Sequence, residues 1–235
     1  MKNLLSILFI IITLSEALPQ ETQKSTTIKV TQSRERVTGK IYNKLTGEKL
    51  DNDELFKIMQ KNPYVVFEHV IDKYGKIERY YYDPNNTNTN NTYSRNADNQ
   101  TRPGETFPAF VFETIDGDII SSDKLKGSWV IIRFELFADT RFFRKKEIEE
   151  LDNQINGMGG NQNIVSIICF ADSKDNVKTE IELGDSNFKL VGDGRWFHEK
   201  FNIITYPTTL ILDNQGRVVN YYYSINEIEL NKILK

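Results

Sequence analysis

The 235 residues contain a single cysteine, Cys169. One thiol cannot close a disulfide within its own chain, and dithiol exchange needs one sulfur to attack and a second to resolve. Histidine is nearly as scarce, with only His69 and His198. Neither has cysteines, histidines or carboxylates spaced around it as a metal set would require, so the sequence calls for no metal and no cofactor. Charge of one sign is also missing: 30 Lys and Arg against 33 Asp and Glu give a net charge of −3. Such a balance does not point to a nucleic-acid partner. The apolar run at residues 4–14 is too short to span a bilayer comfortably.

What is present begins with that run. Lys2 supplies a positive start, residues 4–14 an apolar stretch, and Ser15-Glu16-Ala17 a small-x-small cleavage site, so residues 1–17 read as a secretory signal. The mature chain is then expected outside the cytoplasm, secreted or periplasmic, with no membrane span left after cleavage. No cysteine follows the run, which excludes a lipoprotein anchor. Residues 18–36 are polar and read as a flexible leader.

Residues 37–83 read as a small α+β unit: a strand over 37–42, a helix over 52–61 capped by Asp51 and ended by Pro63, and a hairpin of strands within 64–72 and 77–82. A core this small needs something to pack on. Within the hairpin, His69 reads as structural. Residues 84–103 form an Asn-rich linker with Asn-x-Thr acceptors at Asn85, Asn90 and Asn99.

Residues 104–235 carry the main domain, centred on residues 129–151. Trp129-Val-Ile-Ile-Arg-Phe-Glu-Leu-Phe137 has the composition of a buried strand. It runs into a stretch expected to be a helix over 138–155, with Asp139 or Thr140 as N-cap. Strands follow at 164–170, 188–190, 208–212 and 217–223. Helices are expected at 173–183, 193–201 and 225–234. Cys169 lies inside the 164–170 strand and reads as a small core residue.

These stretches resemble the thioredoxin-like superfamily, in its TlpA-like and redoxin (AhpC/TSA-type) branch. Residues 137–147 lie without a gap along that branch's Trp-Ala-x-Trp-Cys-x-x-Cys-Arg-x-Glu motif, and Tyr206-Pro207-Thr208-Thr209 along its cis-proline loop. The resemblance implies an α/β thioredoxin-like fold, a central mixed sheet flanked by helices, beside the small α+β unit. It also implies that Arg141 and Arg144 occupy the two redox-cysteine positions, that Glu135 stands where many thioredoxins bury an acid, and that Tyr206–Pro207 is cis.

With both thiol positions occupied by arginine, the expectation is a binding or structural module rather than an oxidoreductase. Arg141, Phe142, Phe143, Arg144, Tyr206 and Pro207 would form a patch for a protein or peptide partner, with acidic ones favoured by the guanidiniums and the helix dipole. The competing account answers both arginines internally, through Glu135 or Asp139. The alternative from another class is a redoxin-like oxidoreductase or peroxidase acting through Cys169 or a partner's thiols. A non-redox enzyme using carboxylates is weaker, because no pair has a catalytic spacing.

Overall fold

A strand buried on both faces needs apolar residues on both, and Trp129–Glu135 (β6) supplies them. Ile132 and Phe134 point into one core layer, Ile131 into the other. The computed structural model describes residues 40–86, 95–158 and 163–234. The proposed signal, the leader and the start of the first expected strand lie outside the described residues.

Around β6 the chain builds a five-stranded mixed sheet. Ile164–Phe170 (β7) pairs parallel with β6, and Phe188–Val191 (β8) parallel with β7. On the other side Thr208–Leu212 (β9) pairs antiparallel with β6, and Val218–Tyr222 (β10) antiparallel with β9. The spatial order is β10-β9-β6-β7-β8. Lys145–Gly157 (α2) covers one face through Ile148 and Leu151; Arg195–Lys200 (α4) covers the other through Phe197. Lys174–Glu180 (α3) joins β7 to β8. This is the thioredoxin-like arrangement, α/β with helices on both faces of a mixed sheet.

The hairpin of Phe67–Ile71 (β2) and Ile77–Tyr82 (β3), with Ile41–Asn43 (β1) parallel to β3, makes a separate three-stranded sheet. Asn52–Lys61 (α1) carries a capping box between Asp51 and Glu54. The hairpin packs on α4. His69 Nδ1 lies 2.5 Å from Glu199 Oε1, and its ring meets Trp196 edge-on at 5.2 Å. Lys200 Nζ donates to the Asp72 carbonyl at 2.9 Å and to that of Ala109 at 2.8 Å. At the hairpin turn Gly75 has φ +71°, and a Cβ there would stand 2.6 Å from the Phe197 ring. Val111–Glu113 (β4) and Ile119–Ser121 (β5) form the second hairpin, and Val111 N–H donates to the Lys73 carbonyl.

Besides ends shifted by a few residues, as in the helix expected over 173–183 that stops at Glu180, three differences from the sequence expectation matter for the site. β6 ends at Glu135, and the expected 138–155 helix is in fact a turn followed by α2. Asp139 explains the split. Its carbonyl accepts from Phe142 and Phe143 N–H, and its Oδ1 accepts from Arg141 N–H at 2.8 Å, closing a local turn that competes with helix propagation. The expected 225–234 helix is likewise divided into a 3-10 turn, Ile225–Glu227, and a short helix, Leu230–Ile233 (α5). Gln154 on α2 holds the break open, donating to the Ile228 carbonyl and accepting from Leu230 N–H. Finally, the tail of the expected linker is not solvated spacer. Ala97–Asn99 forms a 3-10 turn, and Gln100 Nε2 donates to the Asn202 carbonyl at 2.9 Å. The linker's residues 87–94 lie outside the described residues.

Candidate functional site

The antiparallel register of β6 with β9 pairs Phe134 with Thr208. Extending it places Glu135 beside Pro207, so the turn after β6 and the loop before β9 emerge at one end of the sheet. The Tyr206–Pro207 peptide bond is cis.

Within the turn, the charged residues find partners close by. Arg141 donates to Asp139 through Nε and Nη2, the latter at 2.6 Å, although its side chain is 80% exposed. Hydrogen bonds from Arg141's guanidinium and backbone N–H hold the Asp139 carboxyl at a pKa of about 2. Arg144 stands at the N-cap of α2 and donates to Glu147 Oε1 at 3.0 Å. The competing account, internal pairing of both arginines, thus finds Asp139 for Arg141 as named and Glu147 in place of Glu135 or Asp139 for Arg144. Glu147 lies three residues along the same helix, a closer partner by geometry.

Below the turn lies a buried network. Arg133 is 1% exposed. Its Nε donates to Glu135 Oε1 at 2.7 Å and its Nη2 to Glu147 Oε2 at 2.5 Å. Arg133 and Glu135 are two apart on one strand and so share the face that α2 covers. Desolvation raises the Glu135 pKa against the opposing pull of Arg133. The two arginines lower that of Glu147, which its own partial burial would raise. Glu147 thus ties the buried cation to the surface one. The Arg-x-x-Glu spacing at the helix start signals the pair with Arg144 but not the one with Arg133.

The aromatic residues divide. Phe143 is 8% exposed and packs on the Phe170 ring at 5.5 Å, so it leaves the expected patch. Phe142 is 65% exposed and Phe137, which the sequence reading assigned to a buried strand, is 54% exposed. Their rings lie 6.3 Å apart, and the Arg141 guanidinium stacks over Phe142 at 5.7 Å.

On the opposite face of the sheet, a chain of hydrogen bonds not foreseen from the sequence supports the proline loop. Fully buried His198 has Nε2 3.0 Å from the Cys169 carbonyl, which can only accept, so Nε2 carries the proton. Nδ1 then accepts from Tyr206 Oη at 3.0 Å, and Tyr206 Oη accepts from Arg95 Nη1 at 2.5 Å. Burial drives the His198 pKa down to about 3. Cys169 itself is fully buried, and desolvation raises its thiol pKa far above the ordinary range. Across Cys169, the approach of Gly194 is so close that a Cβ there would stand 2.5 Å from Sγ.

The sequence profile of the AhpC/TSA family matches residues 103–221, half of the chain and the whole five-stranded sheet except the last residue of β10. This chain belongs to the AhpC/TSA family. No curated protein matches it. Among solved structures, the thioredoxin domain of a thiol-disulfide oxidoreductase from Bacteroides vulgatus is 21% identical. That match covers 58% of this chain and 100% of that one, with a TM-score of 0.48. A thiol:disulfide interchange protein from Bacteroides sp. is 20% identical over 54% and 85% of the two chains, with a TM-score of 0.45. An exposed lipoprotein thioredoxin from Streptococcus pneumoniae is 15% identical over 52% and 100%, with a TM-score of 0.38. In this AhpC/TSA-family chain the single thiol lies inside β7, and arginine occupies the turn. Among the described residues no group of three or more His, Cys, Asp or Glu could hold a metal ion, and no helix is long and apolar enough to cross a membrane.

Proposed function

We propose that this AhpC/TSA-family chain is an extracytoplasmic binding module that has given up dithiol chemistry and holds an extended polypeptide segment at residues 137–144, beside the proline loop. The observation that carries the reading is the exposed pair Phe137 and Phe142, displayed on a turn whose own arginines are answered by Asp139 and Glu147. Exposed aromatics next to an arginine have the composition of an interface hot spot. A peptide strand would pair with backbone groups of the proline loop, the bend at residues 205–207 that precedes β9. A redoxin reading through Cys169 meets two obstacles, the absence of any exposure of Sγ and the raised thiol pKa, because the thiolate is the reactive form. The signal-like residues 1–17 support a place outside the cytoplasm.

The test is site-specific photocrosslinking in the native cell. A photoreactive phenylalanine at position 142 is expected to give a discrete adduct that disappears when Phe137 is changed to Ser. The same group at Phe56, an exposed phenylalanine on α1, is expected to give none. Adducts at position 56 with none at 142 would move the binding face to the N-terminal sheet and overturn the reading.

A further inference from the structure

The arginines of β6 and of the turn after it are answered by acids; Arg95, beside the proline loop, is not, among the described residues. Arg133, Arg141 and Arg144 each donate to a carboxylate, whereas among the described residues Arg95 donates only to a neutral hydroxyl, Tyr206 Oη. The preceding stretch, residues 87–94, contains no Asp or Glu. The nearest acid along the chain, Asp98, accepts instead from the Asn96 amide at 3.4 Å.

Arg95 is nevertheless held firmly. Its guanidinium carbon lies 5.7 Å from the Tyr206 ring centroid while Nη1 donates to the hydroxyl of the same side chain, and Tyr206 is fixed in turn through His198 to the Cys169 carbonyl. The following residues clamp the loop from the same side: Asn96 N–H donates to Asn202 Oδ1 and Gln100 Nε2 to the Asn202 carbonyl. A guanidinium has five N–H donors in a planar fork, of which this contact uses one. A cation oriented by such a bond and answered by no carboxylate among the described residues keeps four further N–H donors, and a guanidinium edge matches a carboxylate in bidentate geometry.

We propose that Arg95 is the anion-recognising residue of the site, so that the held segment carries a carboxylate next to Tyr206. That group is either an Asp or Glu side chain or the C-terminus of the segment. The inference rests on the binding function proposed above and changes its chemistry. Acid preference comes from Arg95, which lies upstream of the family match, and not from the two arginines in the former cysteine positions.

The experiment passes a random library of nine-residue peptides over the immobilised full chain, in one arm with amidated C-termini and in the other with free ones, and sequences what is retained. Wild type is expected to enrich Asp and Glu in the amidated arm, or to retain the free-acid arm preferentially if the C-terminus is the ligand. Arg95→Gln, which keeps an N–H donor for Tyr206 Oη, is expected to retain peptides with that preference reduced at least fivefold. Arg95→Lys should recover part of it. An unchanged preference in Arg95→Gln overturns the inference and leaves the binding site at 137–144 standing. Undiminished retention by a Phe137→Ser, Phe142→Ser double variant overturns the site itself, and no retention by wild type overturns both.

Discussion

Arg133→Ala is expected to cost about 3–5 kcal/mol of folding stability, the usual penalty for removing one partner of a buried ion pair. The loss does not measure the strength of the pair. It arises because Glu135, nearly buried, keeps its desolvation penalty and loses the cation that offsets it, while Glu147 retains only Arg144. The corollary separates this account from simple loss of packing. Arg133→Met combined with Glu135→Leu removes cation and anion together, and is expected to recover most of the stability, because well-packed apolar pairs often equal buried ionic ones. Urea unfolding midpoints decide between the two explanations. A single-variant loss below about 1 kcal/mol would place water in the network that the burial of Arg133 leaves no room for.

Acidification from pH 7 to pH 4 is expected to weaken the fold through His198 by on the order of 3 kcal/mol. The native imidazole stays neutral until about pH 3, because burial disfavours its cation and the Cys169 carbonyl fixes the proton on Nε2. In the unfolded chain His198 takes up a proton near pH 6.5. The unfolded state therefore binds more protons throughout that window. The contribution is complete above pH 6.5 and is lost as pH falls toward 3. Glu135 works in the opposite sense, since its raised pKa favours the native state as acid is added, and it offsets part of the loss. The lowered pKa of Glu147 adds to the loss. His198→Gln removes only the histidine term, so its stability should vary with pH less steeply than that of wild type. Parallel profiles in the two proteins would show that His198 is not held neutral.

The local chemistry of particular residues explains which parts of this structure could be read in advance. The β6 and β7 strands were legible as runs of β-branched and aromatic residues of strand length, and α1 was legible from Asp51 as its cap and Pro63 after its end. The start of α2 was not. Asp139 can cap a helix or close its own turn, and the bonds to Phe142, Phe143 and Arg141 that decide the matter are not visible as a periodicity. The same error hid Phe137, which a strand would have buried. Arg133 with Glu135 was readable from their two-residue spacing. Glu147 as the shared acid was not, because it depends on how α2 crosses β6. The chain from Arg95 to His198 joins residues more than a hundred positions apart, and composition had assigned Arg95 to a linker.

The function proposed above is a binding role without thiol turnover. It is tested most directly by assaying the purified chain for thiol-dependent reduction of insulin disulfides and of hydrogen peroxide, beside Cys169→Ala. That variant is expected to cost on the order of 1 kcal/mol in packing and nothing in activity. The account predicts background rates for both proteins in both assays. Turnover by wild type that disappears in Cys169→Ala would contradict it.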